Sequence, residues 1–145
     1  LGFVPFNAIR TKVFLGDCGS YGLGAALGGL SVWLYSTGLA LEACTAPLAL
    51  YLADTGTTLI RRLLHREPLH EPHRTHIYQR LADLGWSHLR IATLVLVLVS
   101  VLSALGALSN VGGMFRVTGD VVGVVILGGY LALPLLLRRR LAAAT

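Results

Sequence analysis

From residue 91 to residue 109 the chain carries no charged side chain, and leucine, valine and alanine supply most of the stretch. A bilayer's hydrocarbon core is about 30 Å thick, and roughly 20 apolar residues of α-helix cross it. No water is available there, so the backbone has to satisfy its own N–H and C=O groups within the segment. Helix is therefore the expected state of this run. Three further apolar stretches follow the same logic, over 20–37, 39–60 and 120–137. The first is rich in glycine (Gly22, Gly24, Gly28 and Gly29), which lets helix backbones approach closely in lipid. The second contains Pro47, which neighbouring helices can accommodate. The last ends at the triplet Arg138, Arg139 and Arg140.

The balance of residues agrees. Apolar side chains make up 54% of the 145 residues and charged ones only 13%, against roughly a quarter charged in a water-soluble domain. The expected fold class is all-α, a polytopic integral membrane protein with about four transmembrane helices and a long loop over 61–90. Orientation follows from where the basic residues fall. Threaded through four spans, Arg10, Lys12, Arg61, Arg62, Arg66, Arg74, Arg80, Arg90 and Arg138 to Arg140 land on one side, and Arg116 lands alone on the other. Lys and Arg gather in cytoplasmic loops, so the first side is expected to be the cytoplasm. The net charge of +5 is then mostly a topology signal, and no nucleic-acid partner is expected.

Intramembrane carboxylates are functional candidates by default. Asp54 lies about two turns inside the second span, where it reads either as such a group or as the partner of Arg61 or Arg62. Glu42 and Asp120 lie near the outer ends of their spans and read as interfacial. The two cysteines, Cys18 and Cys44, show no metal or redox spacing. Cys44 reads as a small apolar residue.

Two segments on the basic side carry chemistry. Residues 7–20 read NAIRTKVFLGDCGS, with Asp17 between Gly16 and the pair Gly19-Ser20, just before a span. Glycine allows close backbone approach to a ligand. A carboxylate there suits Mg²⁺, which takes one or two carboxylates plus phosphate oxygens and waters. Capping of the following helix by Asp17 and Ser20 is the simpler alternative. The second segment is the 61–90 loop, which holds all five histidines: His65, His70, His73, His76 and His88. Arginine and histidine together supply donors that match a phosphate or diphosphate. The spacing of His70, His73 and His76 also invites zinc, but without a fourth ligand of obvious spacing. Residues 77–84 read as a short amphipathic helix on the interface.

Taken together, NAIRTKVFLGDCGSYGLG and PHRTHIYQRL resemble two motifs of the polyprenyl-phosphate N-acetylhexosamine-1-phosphate transferases. This family includes the phospho-N-acetylmuramoyl-pentapeptide transferases of peptidoglycan synthesis and enzymes that begin surface polysaccharides. The motifs occur in the family's order, separated by a helical hairpin. The resemblance spans essentially the whole chain but only the C-terminal part of a family member. It implies a multi-pass enzyme of the bacterial plasma membrane with its site facing the cytoplasm. Such an enzyme uses Mg²⁺ to move a sugar-1-phosphate from a UDP-N-acetylhexosamine to undecaprenyl phosphate, releasing UMP. By the same resemblance Asp17 matches the metal-binding aspartate, and Asn7 and Phe14 match positions that hold uracil. His76 matches the first residue of the histidine motif. Arg74, with His73 beside it, matches the basic approach to the substrate diphosphate.

Two departures accompany the match. Arg10-Thr11 replaces a Pro-Ala of the peptidoglycan enzymes, and Tyr78 and Gln79 stand where the fuller histidine motif has further histidines. The second points away from the muramoyl-pentapeptide substrate. The family's adjacent aspartate pair is absent from the sequence, so a longer protein is expected, and these residues alone are expected to be inactive. A homodimer is carried as a partner expectation. The rival readings are a non-enzymatic membrane subunit with an anion-binding loop, and an inactive truncated relative.

Overall fold

The computed structural model describes residues 16–66 and 76–143. These are helical apart from short connections. The chain divides into two compact units, residues 1–38 and 39–145.

The first unit contributes helix α1, Gly16–Ser36. Gly16 starts it with φ +66°, a left-handed conformation that a side chain would strain. Nothing lies within 4 Å of a Cβ built at Gly22, Gly24, Gly28 or Gly29. The small residues anticipated as a packing surface are thus open among the described residues.

The second unit holds α2 (Leu41–Leu64), α3 (Ile77–Asp83), α4 (His88–Leu108), a 3₁₀ turn (Ser109–Val111) and α5 (Gly113–Ala142). All four expected spans are helices, and a short helix is present within one residue of the range expected over 77–84. The helices run beyond the apolar stretches because their flanking residues favour helix too. Arginine is a good helix former, so α2 continues through Arg61 and Arg62 and α5 through Arg138 to Arg140. Two of the helices, α4 extended through the turn and α5, are long and apolar enough to cross a membrane. Polar residues dilute the other two, with glycine, serine and tyrosine in α1 and Glu42, Asp54 and several threonines in α2.

Within the second unit α2 and α5 run one way and α4 the other. The start of α2 meets the end of α4 at Gly106. A Cβ placed there would lie 2.5 Å from the Ala46 Cβ and 2.7 Å from the Glu42 carbonyl oxygen, closer than packed atoms allow. Glycine is what lets these backbones touch. The return from α4 to α5 uses Gly112 and Gly113, both at positive φ (+82° and +56°), and both are conformations that disfavour a side chain. Asn110 in this turn accepts the Ala40 N–H at 2.8 Å, which satisfies one of the donors left open at the start of α2.

The core is a single cluster: Leu50 from α2, Ile77 and Leu81 from α3, Ile91 and Leu102 from α4, and Tyr130 from α5. Leu81 is fully enclosed, so the short α3 is pinned by its apolar face. Away from this cluster the apolar side chains point outward, among them Leu96 at 67% exposure and Val124 at 69%. Contiguous outward apolar surface of this kind marks contact with lipid or another protein. Cys44 is buried and Cys18 exposed, and both are free thiols.

Candidate functional site

Asp17 sits in the first turn of α1. Its carboxylate is exposed and has no partner among the described residues. Ser20 does not cap the helix; its hydroxyl donates back to the Gly16 carbonyl at 2.9 Å. The capping alternative therefore does not account for Ser20, and the Asp17 carboxylate is left available. Open space at Gly16 and a free carboxylate beside it fit one protein ligand of a Mg²⁺ ion that takes its other oxygens from phosphate and water. Among the described residues no group of three His, Cys, Asp or Glu side chains is arranged to hold a metal.

His76 is the residue from which α3 departs. Its backbone N–H donates to Gln79 Oε1 at 3.3 Å, the return half of a capping arrangement in which the third helical residue reaches back to the cap. Its ring stacks on that of Tyr78, with centroids 5.8 Å apart and planes within 12°. The two residues that depart from the fuller histidine motif thus both hold His76 in place.

Asp54 closes the arrangement from α2. It is 7% exposed, and an unpartnered carboxylate at such a position is costly. Its Oδ1 accepts the Ile77 N–H at 3.1 Å, and its Oδ2 lies 3.4 Å from His76 Nδ1. Among the described residues Asp54 thus reaches His76 and the first turn of α3. Nothing in the sequence links Asp54 to residues more than twenty positions away, so this pairing was not legible there. A cavity of about 710 Å³ opens beside this group, with Tyr51, Asp54, Thr55, His76, Tyr78 and Tyr130 on its wall.

Basic residues converge on the same end of the unit. Burial lowers the Arg80 guanidinium from its ordinary range, the charges of Arg61 and Arg138 push the same way, and Asp54 opposes them. Arginines from α2, α3 and α5 therefore share one electrostatic neighbourhood. Arg90 lies with its guanidinium 3.9 Å from the centre of the Trp86 ring, a cation–π contact. At the other end, Arg116 pairs with Glu42 through Nη2 at 2.6 Å and Nε at 2.7 Å. The charge segregation read from sequence thus exists in three dimensions within this unit. Asn7, Phe14, His73 and Arg74 lie outside the described residues.

Comparison with known proteins bears on the two motifs directly. The family model described as glycosyl transferase family 4 matches residues 1–35, the segment that contains Asn7, Phe14 and Asp17. A decaprenyl-phosphate N-acetylglucosaminephosphotransferase of Mycobacterium leprae is 32% identical over 156 aligned positions, covering 97% of this chain and 39% of that protein. The chain belongs to glycosyl transferase family 4. A probable undecaprenyl-phosphate N-acetylglucosaminyl 1-phosphate transferase of Bacillus subtilis is 32% identical over 111 residues, 74% of this chain and 31% of its own length. A phospho-N-acetylmuramoyl-pentapeptide-transferase of Clostridium beijerinckii is more distant, at 27% over 116 residues. The chain spans between 31% and 39% of the length of these family 4 relatives. No solved structure matches it.

Proposed function

We propose that this chain forms part of a bacterial membrane transferase that moves N-acetylhexosamine-1-phosphate from a UDP-sugar to a polyprenyl phosphate and releases UMP. The observation that carries this reading is the breadth of the mycobacterial match. It runs through 97% of the chain, so both the glycine-rich aspartate motif and the histidine loop fall within one alignment to a protein named for that kind of transfer. The membrane assignment is supported by the two long apolar helices and their outward-facing side chains. The cytoplasmic orientation is supported by the gathering of Arg61, Arg80 and Arg138 at one end, which for a bacterial protein is the inner side. About four spans, including α1 and α2, belong to the same proposal.

The chemical demand is to bring two anionic phosphates together. An oxygen of the lipid phosphate forms a bond to the sugar-bearing phosphorus of the donor, while the bond from that phosphorus to the bridging oxygen breaks and UMP carries the oxygen away. Such a transfer needs mainly positioning and charge neutralisation. Asp17 is the residue of this chain that would hold Mg²⁺, which when bound supplies Lewis-acid stabilisation of the diphosphate. His76 presents its imidazole to the donor, with Arg74 and His73 as further donors to the diphosphate. Asn7 and Phe14 hold the uracil in this reading. The departure at Tyr78 and Gln79 favours a simple N-acetylhexosamine over the muramoyl-pentapeptide.

The test is UMP release by the full-length protein in detergent. Undecaprenyl phosphate and a panel of UDP-N-acetylhexosamines would be supplied with and without Mg²⁺, beside an Asp17→Asn control. Release that requires Mg²⁺ and disappears in the control is the expected result and names the sugar. A folded protein that releases no UMP from any donor would sink the transferase reading.

A further inference from the structure

We propose that Arg61, Arg80 and Arg138, carried by α2, α3 and α5, form a binding site for the phosphodiester headgroup of an anionic phospholipid in the adjacent leaflet. The inference goes beyond the transferase reading and rests only on its membrane part.

The fold brings the three arginines to one place. Leu137 packs on the cluster that encloses Leu81, and Arg138 and Arg80 adjoin these leucines on α5 and α3. On α2, Asp54 accepts the Ile77 N–H at the start of α3 at 3.1 Å, and Arg61 lies about two turns further on, in the last turn of its helix. The charges of Arg61 and Arg138 both act on the Arg80 guanidinium, which burial already disfavours. Among the described residues none of the three forms an ion pair with a carboxylate. Asp54, whose charge favours Arg80, has one oxygen engaged by Ile77, and Asp83, one turn along α3 from Arg80, lines the cavity instead. A partly buried cation without a counter-ion is costly, and like charges nearby add repulsion. An anion seated among the three relieves both.

Guanidinium forks match phosphate oxygens in pairs, and basic pockets between helices take anionic lipid headgroups. The surroundings select a lipid over a free ion. Arg138 directly follows the uncharged run of α5 over 121–137, which sets it at headgroup level when that run crosses the bilayer. Leu135, one turn earlier on the same face, and Ile60, beside Arg61, are both exposed. Acyl chains would lie along such apolar surface, whereas a free phosphate gains nothing from it. None of the three arginines lines the cavity that Asp54 and His76 share, so the site is separate from that cavity.

The experiment titrates full-length protein in detergent with dioleoyl phosphatidylglycerol and counts bound lipid by native mass spectrometry. Phosphatidylglycerol is expected to bind. Arg80→Gln and the exposed Arg138→Gln should each weaken it about fivefold, the worth of one arginine toward an anionic lipid surface. Arg80→Lys, which keeps the charge, should lose less than Arg80→Gln. Arg116→Gln removes the same charge at the far end and should leave binding unchanged. Equal weakening by Arg116→Gln would reduce the effect to net charge and overturn the site. So would phosphatidylcholine bound as tightly as phosphatidylglycerol, which would leave apolar contact alone, or displacement by millimolar inorganic phosphate, which would make the ligand a free ion. Displacement by equimolar undecaprenyl phosphate or UDP-N-acetylglucosamine would overturn it by assigning the arginines to the transfer reaction. A protein that releases no UMP but binds phosphatidylglycerol through Arg80 removes the transferase reading and upholds this one. A protein that stays soluble without detergent removes the membrane reading and this proposal with it.

Discussion

Helix α2 carries two carboxylates about 18 Å apart along its axis, and the two ends of the second unit treat them differently. At the start, Glu42 meets Arg116 in an ion pair that water reaches. Such pairs are weak because solvent screens the charges and the side chains lose entropy. Further along, Asp54 is buried and spends both oxygens on a neighbouring backbone and an imidazole. The first pair joins two helices. The second meets a ring on the wall of a cavity. A carboxylate's sequence environment does not separate these roles; the partner does.

The comparison can be broken by substitution. The largest effect is expected from His76→Ala, which removes the imidazole that the proposed reaction uses at the phosphates and should slow transfer by about 10²–10³-fold, read as UMP release by full-length protein. A loss under threefold would place the chemistry elsewhere. A middling effect, on stability rather than rate, is expected where the start of α2 meets the end of α4. Gly106→Leu forces a side chain into the contact with Ala46 and Glu42 and should cost about 1–3 kcal/mol, measured as a lowered Tm in detergent. Gly28→Leu, in open space, is the matched control, and an equal loss there would show that α1 has a close neighbour. The smallest effect is expected from Arg116→Ala. Transfer should be unchanged and Tm should shift least of the set; a rate defect would mean that the Glu42 end takes part in chemistry.

Much of the fold was legible because lipid-type helices announce themselves by long uncharged runs, and the four apolar stretches are helices with ends displaced by a few residues. The displacement has one cause. Hydropathy locates where a helix is apolar, whereas arginine, serine and methionine extend it where it is not. The split between Gly22–Gly29 in open space and Gly106 in a tight contact was not legible, since small residues look alike until their neighbours are known. Asp17 and His76 were singled out from motif residues with fixed neighbours. Asp54 was readable only as an anomaly, a carboxylate among apolar residues. Its hydrogen bond to Ile77 spans 23 positions, and no local pattern encodes such a contact.

The glycine pair at Gly112 and Gly113 has a consequence for the order of assembly. It closes α4 onto α5 through a very short connection, so little loop entropy opposes that hairpin. Contacts near in sequence form early and those far apart form late. The hairpin is therefore the natural early unit, and the joining of α2 to α3 across the histidine loop is the late one. Asp54 meets Ile77 only once that closure is complete, which makes their hydrogen bond a local readout of whether this unit has finished folding.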